Sequence, residues 1–305
     1  MSSKKIIEIR ECSKSFGSVK AVQNVSMDIG EREVFGLVGS NGAGKSTLLR
    51  MTAGVMKPDH GEIHIDGIPV FDNKEAKSNL FYLSDDSYFP ANNTPSDMAD
   101  YISLFYPGFE KQRFSKLLRQ FQLKEDRKIS TFSKGMKKQL QILLGISAGT
   151  KYLLCDETFD GLDPVMRQGI KSLFATEILN REFTPVLASH SLRELEDICD
   201  HVGLLYQGGM LLSKNLEDMK FHIYKIQCVL PDNEQEKVLE KELDILKLEH
   251  QGSLVVFTAR GTRTEIMEKV QEKNPLFCEV LPLSLEEIFI SETEVAGYEI
   301  RNLFF

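Results

Sequence analysis

The stretch that decides the fold of this 305-residue chain is Gly39-Ser40-Asn41-Gly42-Ala43-Gly44-Lys45-Ser46-Thr47. It fits the phosphate-loop pattern, in which two glycines separated by four residues are followed by Lys and Ser. Glycines allow the backbone to curve so that successive N–H groups point inward, and the following helix adds its positive dipole end. The stretch therefore predicts a site for a phosphate chain, with Lys45 neutralising phosphate charge and Ser46 holding magnesium.

The surroundings of this loop predict a layered α/β fold. An apolar run over residues 34–38 precedes the loop, and residues 45–53 have the composition of a helix. Further buried strands are predicted at 152–155 and 185–188, each flanked by helical patterns, and a hairpin at 201–213. Strands alternating with helices predict a mostly parallel sheet with helices on its faces. The alternative is a chance match in a glycine-rich turn, and the position of the loop between a strand and a helix makes that alternative less probable.

Composition limits the other possibilities. Residues 142–146 form one of the longest apolar runs, far below the ~20 residues needed to cross a bilayer. Glu8 and Arg10 interrupt the only apolar run near the N-terminus, so no signal peptide is predicted and the chain is expected to stay inside the cell. Five cysteines without paired spacing argue against disulfides and a zinc site. The net charge of -8 gives no electrostatic reason to bind nucleic acid.

A phosphate loop alone also suits kinases, GTPases and helicase-like motors, so other segments must distinguish them. Four follow in order: Phe132-Ser133-Lys134-Gly135-Met136, the apolar strand and carboxylate pair Tyr152-Leu153-Leu154-Cys155-Asp156-Glu157, Gly161-Leu162-Asp163-Pro164, and His190 after Leu187-Ala188-Ser189. They resemble the signature segment, second nucleotide motif, D-loop and switch histidine of ATP-binding-cassette (ABC) proteins. The resemblance covers residues 4–215, approximately, and is closest to the ATPase subunits of bacterial exporters whose membrane part is a separate polypeptide.

The resemblance implies the architecture. The fold is expected to be a P-loop NTPase cassette, with a mixed, mostly parallel sheet core, an antiparallel sheet and a helical subdomain, followed by a small C-terminal α+β appendage. The expected nucleotide-binding domain is 4–219, with the helical signature subdomain at about 86–148, and the expected accessory domain is 220–305. In the rows after Lys220, nine Lys/Arg face sixteen Asp/Glu. Nothing in this acidic tail looks catalytic, and it could regulate, dimerise or stabilise.

The resemblance also assigns a role to each motif residue, with ATP and Mg²⁺ as cofactors. Glu157 is the expected general base and His190 the expected partner of the γ-phosphate, while Ser46, Asp85 and Asp156 are the expected magnesium ligands. The residues expected to contact nucleotide are Phe16, Gly39, Ser40, Asn41, Gly42, Ala43, Gly44, Lys45, Ser46, Thr47, Ser133, Gly135 and Asp163.

Each motif also has an ordinary structural interpretation. Adjacent carboxylates such as Asp156 and Glu157 are often a solvated pair, and a lone histidine such as His190 is more often structural. Ser133 alone would be a helix N-cap. Phe16, at the place of the aromatic that stacks on adenine, would be a core residue. The joint occurrence of the motifs favours the functional interpretation.

The chain departs from the family pattern at two places. The signature commonly has glycine and glutamine where this chain has Lys134 and Met136. The Q-loop usually carries a glutamine that touches magnesium, and this chain offers Asp85 there. A carboxylate can still ligate magnesium, although its hydrogen bonding to water differs. The aromatic-rich segment 88–107 that follows is expected to dock a membrane subunit.

The resemblance implies that ATP is held between two such subunits, identical or related, which act on a separate transmembrane permease. The chain would then lie on the inner face of the membrane through the permease alone, without nucleic acid. Exporters of this type move drugs, antimicrobial or cytolytic peptides, lipids or polysaccharides. The alternative is a soluble ATP-dependent switch acting on ribosomes or DNA. Such proteins usually carry two cassettes or a long coiled-coil insertion, and this sequence has neither.

Overall fold

The chain forms two compact units, Met1–Ser213 and Lys214–Phe305, in a computed structural model. The structure describes residues 4–86, 88–159, 161–196, 198–216, 223–281 and 283–288. The predicted boundary at 219–220 and the end of the tail beyond Ile288 lie outside the described residues. No helix in these ranges combines the length and apolar character needed to cross a membrane.

In the described ranges, ten strands and seven α-helices begin within the first unit. The strands are β1 Lys5–Phe16, β2 Val19–Gly30, β3 Phe35–Val38, β4 His60–Ile65, β5 Ile68–Pro69, β6 Leu80–Leu83, β7 Tyr152–Asp156, β8 Thr184–Ser189, β9 His201–Tyr206 and β10 Gly209–Asn215. The helices are α1 Lys45–Thr52, α2 Lys74–Ser78, α3 Pro95–Ser103, α4 Lys111–Gln120, α5 Lys134–Ser147, α6 Pro164–Asn180 and α7 Leu192–Glu196, with a 3₁₀ turn at Ile129–Thr131.

The core sheet has six strands in the order β10-β9-β3-β8-β7-β6. Strand β3 pairs in parallel with β8 and β9, and β7 pairs in parallel with β6 and β8. Every residue of β3, β7 and β8 is buried, because both faces of a parallel sheet are covered. This is why these strands are short apolar runs in the sequence. The predicted parallel core and the adjacent strands at 201–213 are confirmed.

A second sheet, ordered β2-β1-β4-β5, is antiparallel. Its long strands β1 and β2 have twelve residues each, yet the sequence pattern did not locate them. Their register shifts between Ile9 and Cys12, and Glu11 and Asn24 have φ values of 48°. Such bulges interrupt the alternation of buried and exposed residues that makes a strand recognisable.

Helices α3, α4 and α5 lie in the chain between β6 and β7, within the segment 86–148 that was expected to be helical. Helix α3 begins with a capping box, in which Thr94 and Asp97 satisfy each other's backbone N–H groups. Helix α5 begins at a Ser133 N-cap, whose Oγ accepts a hydrogen bond from the N–H of Met136 at 3.2 Å. The start of each helix is therefore fixed by local polar contacts.

A buried carboxylate joins α4 to α6. Glu177 on α6 is 2% exposed and lies between two guanidinium groups, Arg113 of α4 and Arg181. The distance from Arg181 Nε to Glu177 Oε2 is 2.7 Å, and Arg181 also donates to the backbone oxygen of Thr150. Because a buried carboxylate is stable only when it is paired, this cluster holds the two helices in one arrangement.

We expect Glu177→Gln to lower the free energy of unfolding by about 3 kcal/mol or more, because it removes the buried carboxylate that Arg113 and Arg181 share and leaves Arg113 with the longer contact to the more exposed Glu110. Urea unfolding followed by circular dichroism measures this. The matched control is Asp100→Asn, which breaks the ion pair of Asp100 with Lys111, whose side chains are 66% and 57% exposed. That exposed pair should contribute less than about 1 kcal/mol. Equal losses in the two variants would contradict the structural role of Glu177.

The second unit is an α+β fold with its own core. Its elements are β11 Ile223–Val229, α8 Asn233–Glu242, β12 Asp244–Gln251, β13 Leu254–Arg260, α9 Arg263–Glu272 and β14 Phe277–Leu281. The antiparallel sheet has the order β12-β13-β11-β14. Ile226, Phe257 and Val270 are among the buried residues of its core. The predicted α+β class is confirmed, whereas β12 and β14 were not predicted because their faces are mostly half-buried or exposed.

Candidate functional site

The predicted phosphate loop connects β3 to α1 in the conformation that its glycines allow. Gly42 and Gly44 have φ values of 82° and 104°, which L side chains rarely adopt. A Cβ at Gly44 would lie 2.2 Å from the backbone oxygen of Ala21, and one at Gly39 would lie 2.4 Å from that of Leu205. Only glycine fits at these two close approaches. Residues 40–44 form the turn, and Lys45, Ser46 and Thr47 begin the helix.

The start of α1 is suited to an anion. Gly44 occupies the N-cap position and offers no side-chain hydrogen bond to the first turn. The N–H groups of that turn can therefore donate to phosphate oxygens, with the helix dipole in the favourable direction. The geometry fits the predicted phosphate cradle.

Lys45 places a buried cation at this loop. The residue is 4% exposed, and its Nζ donates to the backbone oxygens of Gly39 at 2.6 Å and Ser40 at 3.1 Å. The same Nζ lies 3.1 Å from Oε1 of Glu157. The ammonium group is thus held between the phosphate loop and a carboxylate from the end of β7.

Ser46 and Asp156 meet at the carboxyl edge of the core sheet. The Oγ of Ser46 donates to Oδ1 of Asp156 at 2.8 Å, and the hydroxyl of Tyr82 donates to Oδ2 at 3.1 Å. Asp156 is 1% exposed. Burial raises its pKa above the ordinary value, and the two hydrogen bonds only partly oppose that effect. Burial and the neighbouring carboxylate raise the pKa of Tyr82 to about 12, so Tyr82 remains a neutral donor.

The residues present fit magnesium. No group of three or more His, Cys, Asp or Glu side chains in the described part of the chain could form a complete metal cage. Magnesium, however, is usually held by one or two carboxylates, with water and substrate phosphates completing its octahedron. The hydroxyl of Ser46 and the carboxylate of Asp156, 2.8 Å apart beside the phosphate cradle, supply the required hard oxygen atoms.

Glu157 follows directly after β7 in a left-handed conformation, with φ of 48°. Its N–H donates to the backbone oxygen of Ala188 at 3.0 Å. One carboxylate oxygen contacts Lys45, and the other lies 2.8 Å from Nδ1 of His190. The structure therefore brings together Lys45, Ser46, Asp156, Glu157 and His190, five residues that the sequence analysis assigned to one site.

Asp85 follows β6 and lies beside a residue that the sequence analysis did not select. Its Oδ1 is 3.1 Å from Nζ of Lys138, and its side chain is 50% exposed. Lys138 belongs to α5, is 1% exposed, and also donates to the backbone oxygen of Glu157. No sequence motif revealed the contacts that Lys138 and Tyr82 make in the site.

The other predicted residues lie at the ends of helices and strands. Ser133 caps α5, and Asp163 caps α6 by accepting from the N–H of Met166 at 2.9 Å. Gly135 lies close to the D-loop segment, since a Cβ there would be 3.2 Å from the backbone oxygen of Gly161. Phe16, at the end of β1, is 48% exposed. An exposed aromatic ring is available to stack on a base, which a core phenylalanine is not.

Known proteins share these features. A family model described as ABC transporter matches residues 22–160. YcbN of Bacillus subtilis, an uncharacterized ABC transporter ATP-binding protein, is 31% identical over 271 residues, which cover 86% of this chain and 87% of YcbN. This chain belongs to the ABC transporter ATP-binding proteins. YtrB of Bacillus subtilis, an ABC transporter ATP-binding protein, is 28% identical over 94% of this chain and 98% of its own length. BcrA of Bacillus licheniformis, a bacitracin transport ATP-binding protein, is 28% identical over 97% of this chain and 96% of its own length.

Solved structures agree with the fold of this cassette. The ATP-binding subunit of an ABC transporter superimposes with a TM-score of 0.64 and 25% identity, over 70% of this chain and 92% of that subunit. The dimeric cassette MJ0796, bound to ADP and Pi, superimposes with a TM-score of 0.63 over 69% of this chain and 99% of its own, at 20% identity. The predicted cassette fold and family are confirmed. The chain is the ATP-binding subunit of a transporter, and its activity is ATP hydrolysis coupled to transport.

We expect Tyr82→Phe to weaken magnesium-dependent ATP binding most strongly at low pH. The Tyr82 hydroxyl stabilises the ionised form of Asp156, so its loss raises the pKa of Asp156 further. A carboxylate protonated as the pH falls cannot ligate a cation. The acidic limb of binding should therefore move to higher pH, because Asp156 loses a hydrogen bond that favours its charged form.

The measurement is titration with a fluorescent ATP analogue in a series of buffers of decreasing pH, with magnesium and with EDTA. The matched control is Tyr106→Phe, whose hydroxyl donates to the backbone oxygen of Leu80 at 3.3 Å. If the acidic limb of ATP binding moved equally in EDTA, or moved equally in the Tyr106 variant, Tyr82 would not act through Asp156.

Proposed function

We propose that this cassette powers export through separate transmembrane subunits, using Mg²⁺ and ATP held between two cassettes. The observation that carries the hydrolytic part of the proposal is the position of the Glu157 carboxylate, fixed between Lys45 at 3.1 Å and His190 at 2.8 Å beside the phosphate loop. A carboxylate held in this way next to a phosphate cradle is placed to receive a proton from water that attacks the terminal phosphate.

Each residue of the site contributes a separate part of hydrolysis. The N–H groups of the loop and Lys45 hold the phosphate chain and neutralise its charge. Ser46 and Asp156 would hold magnesium, which would supply positive charge to the phosphate chain. Glu157 accepts the proton of the attacking water at a carboxylate oxygen. His190 orients that carboxylate and donates toward the γ-phosphate.

The signature supplies the other side of the nucleotide in a pair of cassettes. Ser133 and Gly135 stand at the start of α5, a fourteen-residue helix whose first-turn N–H groups and dipole favour an anion. Asp163 is the N-cap of α6, and the segment just before it lies close to Gly135 at the start of α5. We infer that these residues face the γ-phosphate bound by the opposite cassette, identical or related, and that Phe16 stacks on adenine within its own cassette.

We expect Glu157→Gln to lower the ATPase kcat by about 10²–10⁴-fold, because the amide cannot accept the proton, while ATP binding is retained. Phosphate release measures turnover, and size-exclusion chromatography with magnesium and ATP measures an accumulated ATP-bound dimer. The matched control is Glu182→Gln, which removes a carboxylate paired with Lys151 before the start of β8, with its side chain 51% exposed. Turnover of the Glu157 variant at the rate of the control would overturn the assignment of the base.

Relatives support the direction of transport. BcrA is named for bacitracin transport, and LptB of Haemophilus influenzae, 27% identical over 92% of its length, for lipopolysaccharide export. We therefore propose a drug, an antimicrobial or cytolytic peptide, a lipid or a polysaccharide as the exported class. These relatives are transport proteins, and they give no support to the alternative of a switch that acts on ribosomes or DNA.

The proposed docking surface for the permease lies in the segment 88–107. Its α3 patch, defined as Tyr101, Leu104 and Phe105 at the end of α3, has side chains that are 51%, 77% and 63% exposed, and Tyr88 in the same segment is 85% exposed. Tyr101 and Phe105 contact each other edge to face, with ring centroids 5.2 Å apart. A group of exposed aromatic and aliphatic side chains is typical of the core of a protein–protein interface.

We expect Leu104→Asp to reduce the fraction of the cassette that cosediments with host membranes by about tenfold or more, since a charge in the buried centre of an interface is costly. ATPase activity of the isolated chain should not change. The matched control is Leu179→Asp on α6, where the leucine is 82% exposed. If both variants cosediment as the unmodified chain does, the permease docks elsewhere.

We propose that residues 4–219 form the nucleotide-binding domain and that residues 220–305 form an accessory domain. It has its own hydrophobic core, and YtrB and BcrA match this chain over 94% and 97% of its length, tail included. The solved cassettes described above cover only about 70% of the chain. We infer that these two relatives share the accessory domain, since their matches extend beyond the part of the chain that the solved cassettes cover.

A further inference from the structure

Lys138 is a buried cation that the mechanism above does not use. Its residue is 1% exposed, and an ammonium group removed from water is strongly destabilising unless it is paired and hydrogen-bonded. Two groups satisfy it in the described structure: the carboxylate of Asp85, 3.1 Å from Nζ, and the backbone oxygen of Glu157. Asp85 is its carboxylate partner, so the two residues form a single charge pair.

The two groups that Lys138 contacts belong to neighbouring strand ends. Asp85 follows β6, Glu157 follows β7, and these strands pair in parallel. Gln141, one turn further along α5, donates to the backbone oxygen of Ser84 at 3.4 Å. Helix α5 therefore holds the segment after β6 by two side chains, and one of them also holds the backbone of the proposed base.

The backbone of Glu157 needs such support. Its φ of 48° lies in the left-handed region, which is uncommon and strained for a residue other than glycine. The N–H of Glu157 is fixed by the backbone oxygen of Ala188, and its carbonyl oxygen by Lys138. Loss of the ammonium donor would release one of these two restraints on the peptide that aims the Glu157 carboxylate.

The pairing with Lys138 also argues against Asp85 as a ligand of magnesium. If Asp85 ligated magnesium, one carboxylate would serve two cations, and the buried ammonium of Lys138 would lose part of its only carboxylate partner in the described residues. A neutral glutamine at position 85 would leave that ammonium unpaired. A lysine at position 138 therefore requires a carboxylate at position 85.

We propose that Lys138 is a positioning residue for Glu157 and that Asp85 is the counterion of Lys138, not a ligand of magnesium. The inference rests on the proposed function, because it concerns the residue assigned there as the base. It replaces the magnesium role that the sequence analysis expected for Asp85. The segment after β6 and the base after β7 are thereby joined through one ammonium group.

The experiment compares Asp85→Gln, Lys138→Met and the double variant in the full chain. Asp85→Gln should lower the Tm by about 5 °C or more, because it leaves a buried cation unpaired, and the double variant should recover most of that loss. Lys138→Met should lower kcat about tenfold or more, with the KM for ATP within about twofold of the unmodified chain, because it moves the base and not the phosphate loop.

Magnesium dependence separates the two roles of Asp85. The magnesium concentration for half-maximal ATPase should stay within about twofold of the unmodified value in Lys138→Met and in a further variant, Asp85→Ala, whose side chain has no oxygen atom to replace a magnesium ligand. A tenfold rise of this concentration in Asp85→Ala, or a tenfold fall of it in Lys138→Met, would show that Asp85 ligates magnesium and would overturn the proposal. A Tm of Asp85→Gln equal to that of the unmodified chain would also overturn it. If Asp85→Gln does not fold, a folded double variant supports the charge pair, and an unfolded one contradicts it.

Glu157→Gln measured in parallel keeps this inference separate from the proposed function. Full turnover in that variant would remove the base assignment, whereas the Tm values of the three other variants still test the charge pair. If the double variant recovers the Tm but Lys138→Met leaves kcat unchanged, Asp85 is still the counterion of Lys138, and Lys138 does not position Glu157.

Discussion

The hydrogen bond between Ser46 and Asp156 is the contact on which the site depends. Ser46 follows β3, and Asp156 ends β7, and both strands pair in parallel with β8 between them. The carboxyl ends of parallel strands lie at one edge of the sheet, which is where open α/β sheets bind their ligands. A slip of one residue in either pairing would move Asp156 by about 3.3 Å and separate the two oxygen atoms. Sheet register therefore sets the geometry of the chemistry.

Burial gives the charges of this site their strength. Lys45 and Lys138 are 4% and 1% exposed, and both contact Glu157, one at its carboxylate and the other at its backbone. Electrostatic interactions are stronger where water is excluded, and each unpaired charge is correspondingly more costly. The site is therefore a connected set of ion pairs and hydrogen bonds in which removal of one group affects the orientation of the others.

The parts of the fold and site that could be predicted from sequence are those fixed by local chemistry. The phosphate loop, the carboxylates after β7 and the buried strands each need particular residues at particular spacings. Tyr82 and Lys138 could not be found in this way, because their partners are distant in sequence. Lys137 and Lys138 are identical side chains in the sequence, and only the phase of α5 against the sheet makes Lys138 the buried one. Strands β1 and β2 were missed because bulges break their alternation.

The pairing of β3 has a consequence for how this chain is made. Phe35 pairs with Val186 and with His201, so both neighbours of β3 come after the entire helical segment. During synthesis from the N-terminus, this fully buried strand and the phosphate loop emerge long before either partner exists. Contacts between such distant residues form slowly, and an unpaired apolar strand is prone to aggregate in the interval. A ribosome that stalls before β8 thus releases a fragment whose central strand has neither of its neighbours, and this makes complete translation a condition for a closed core.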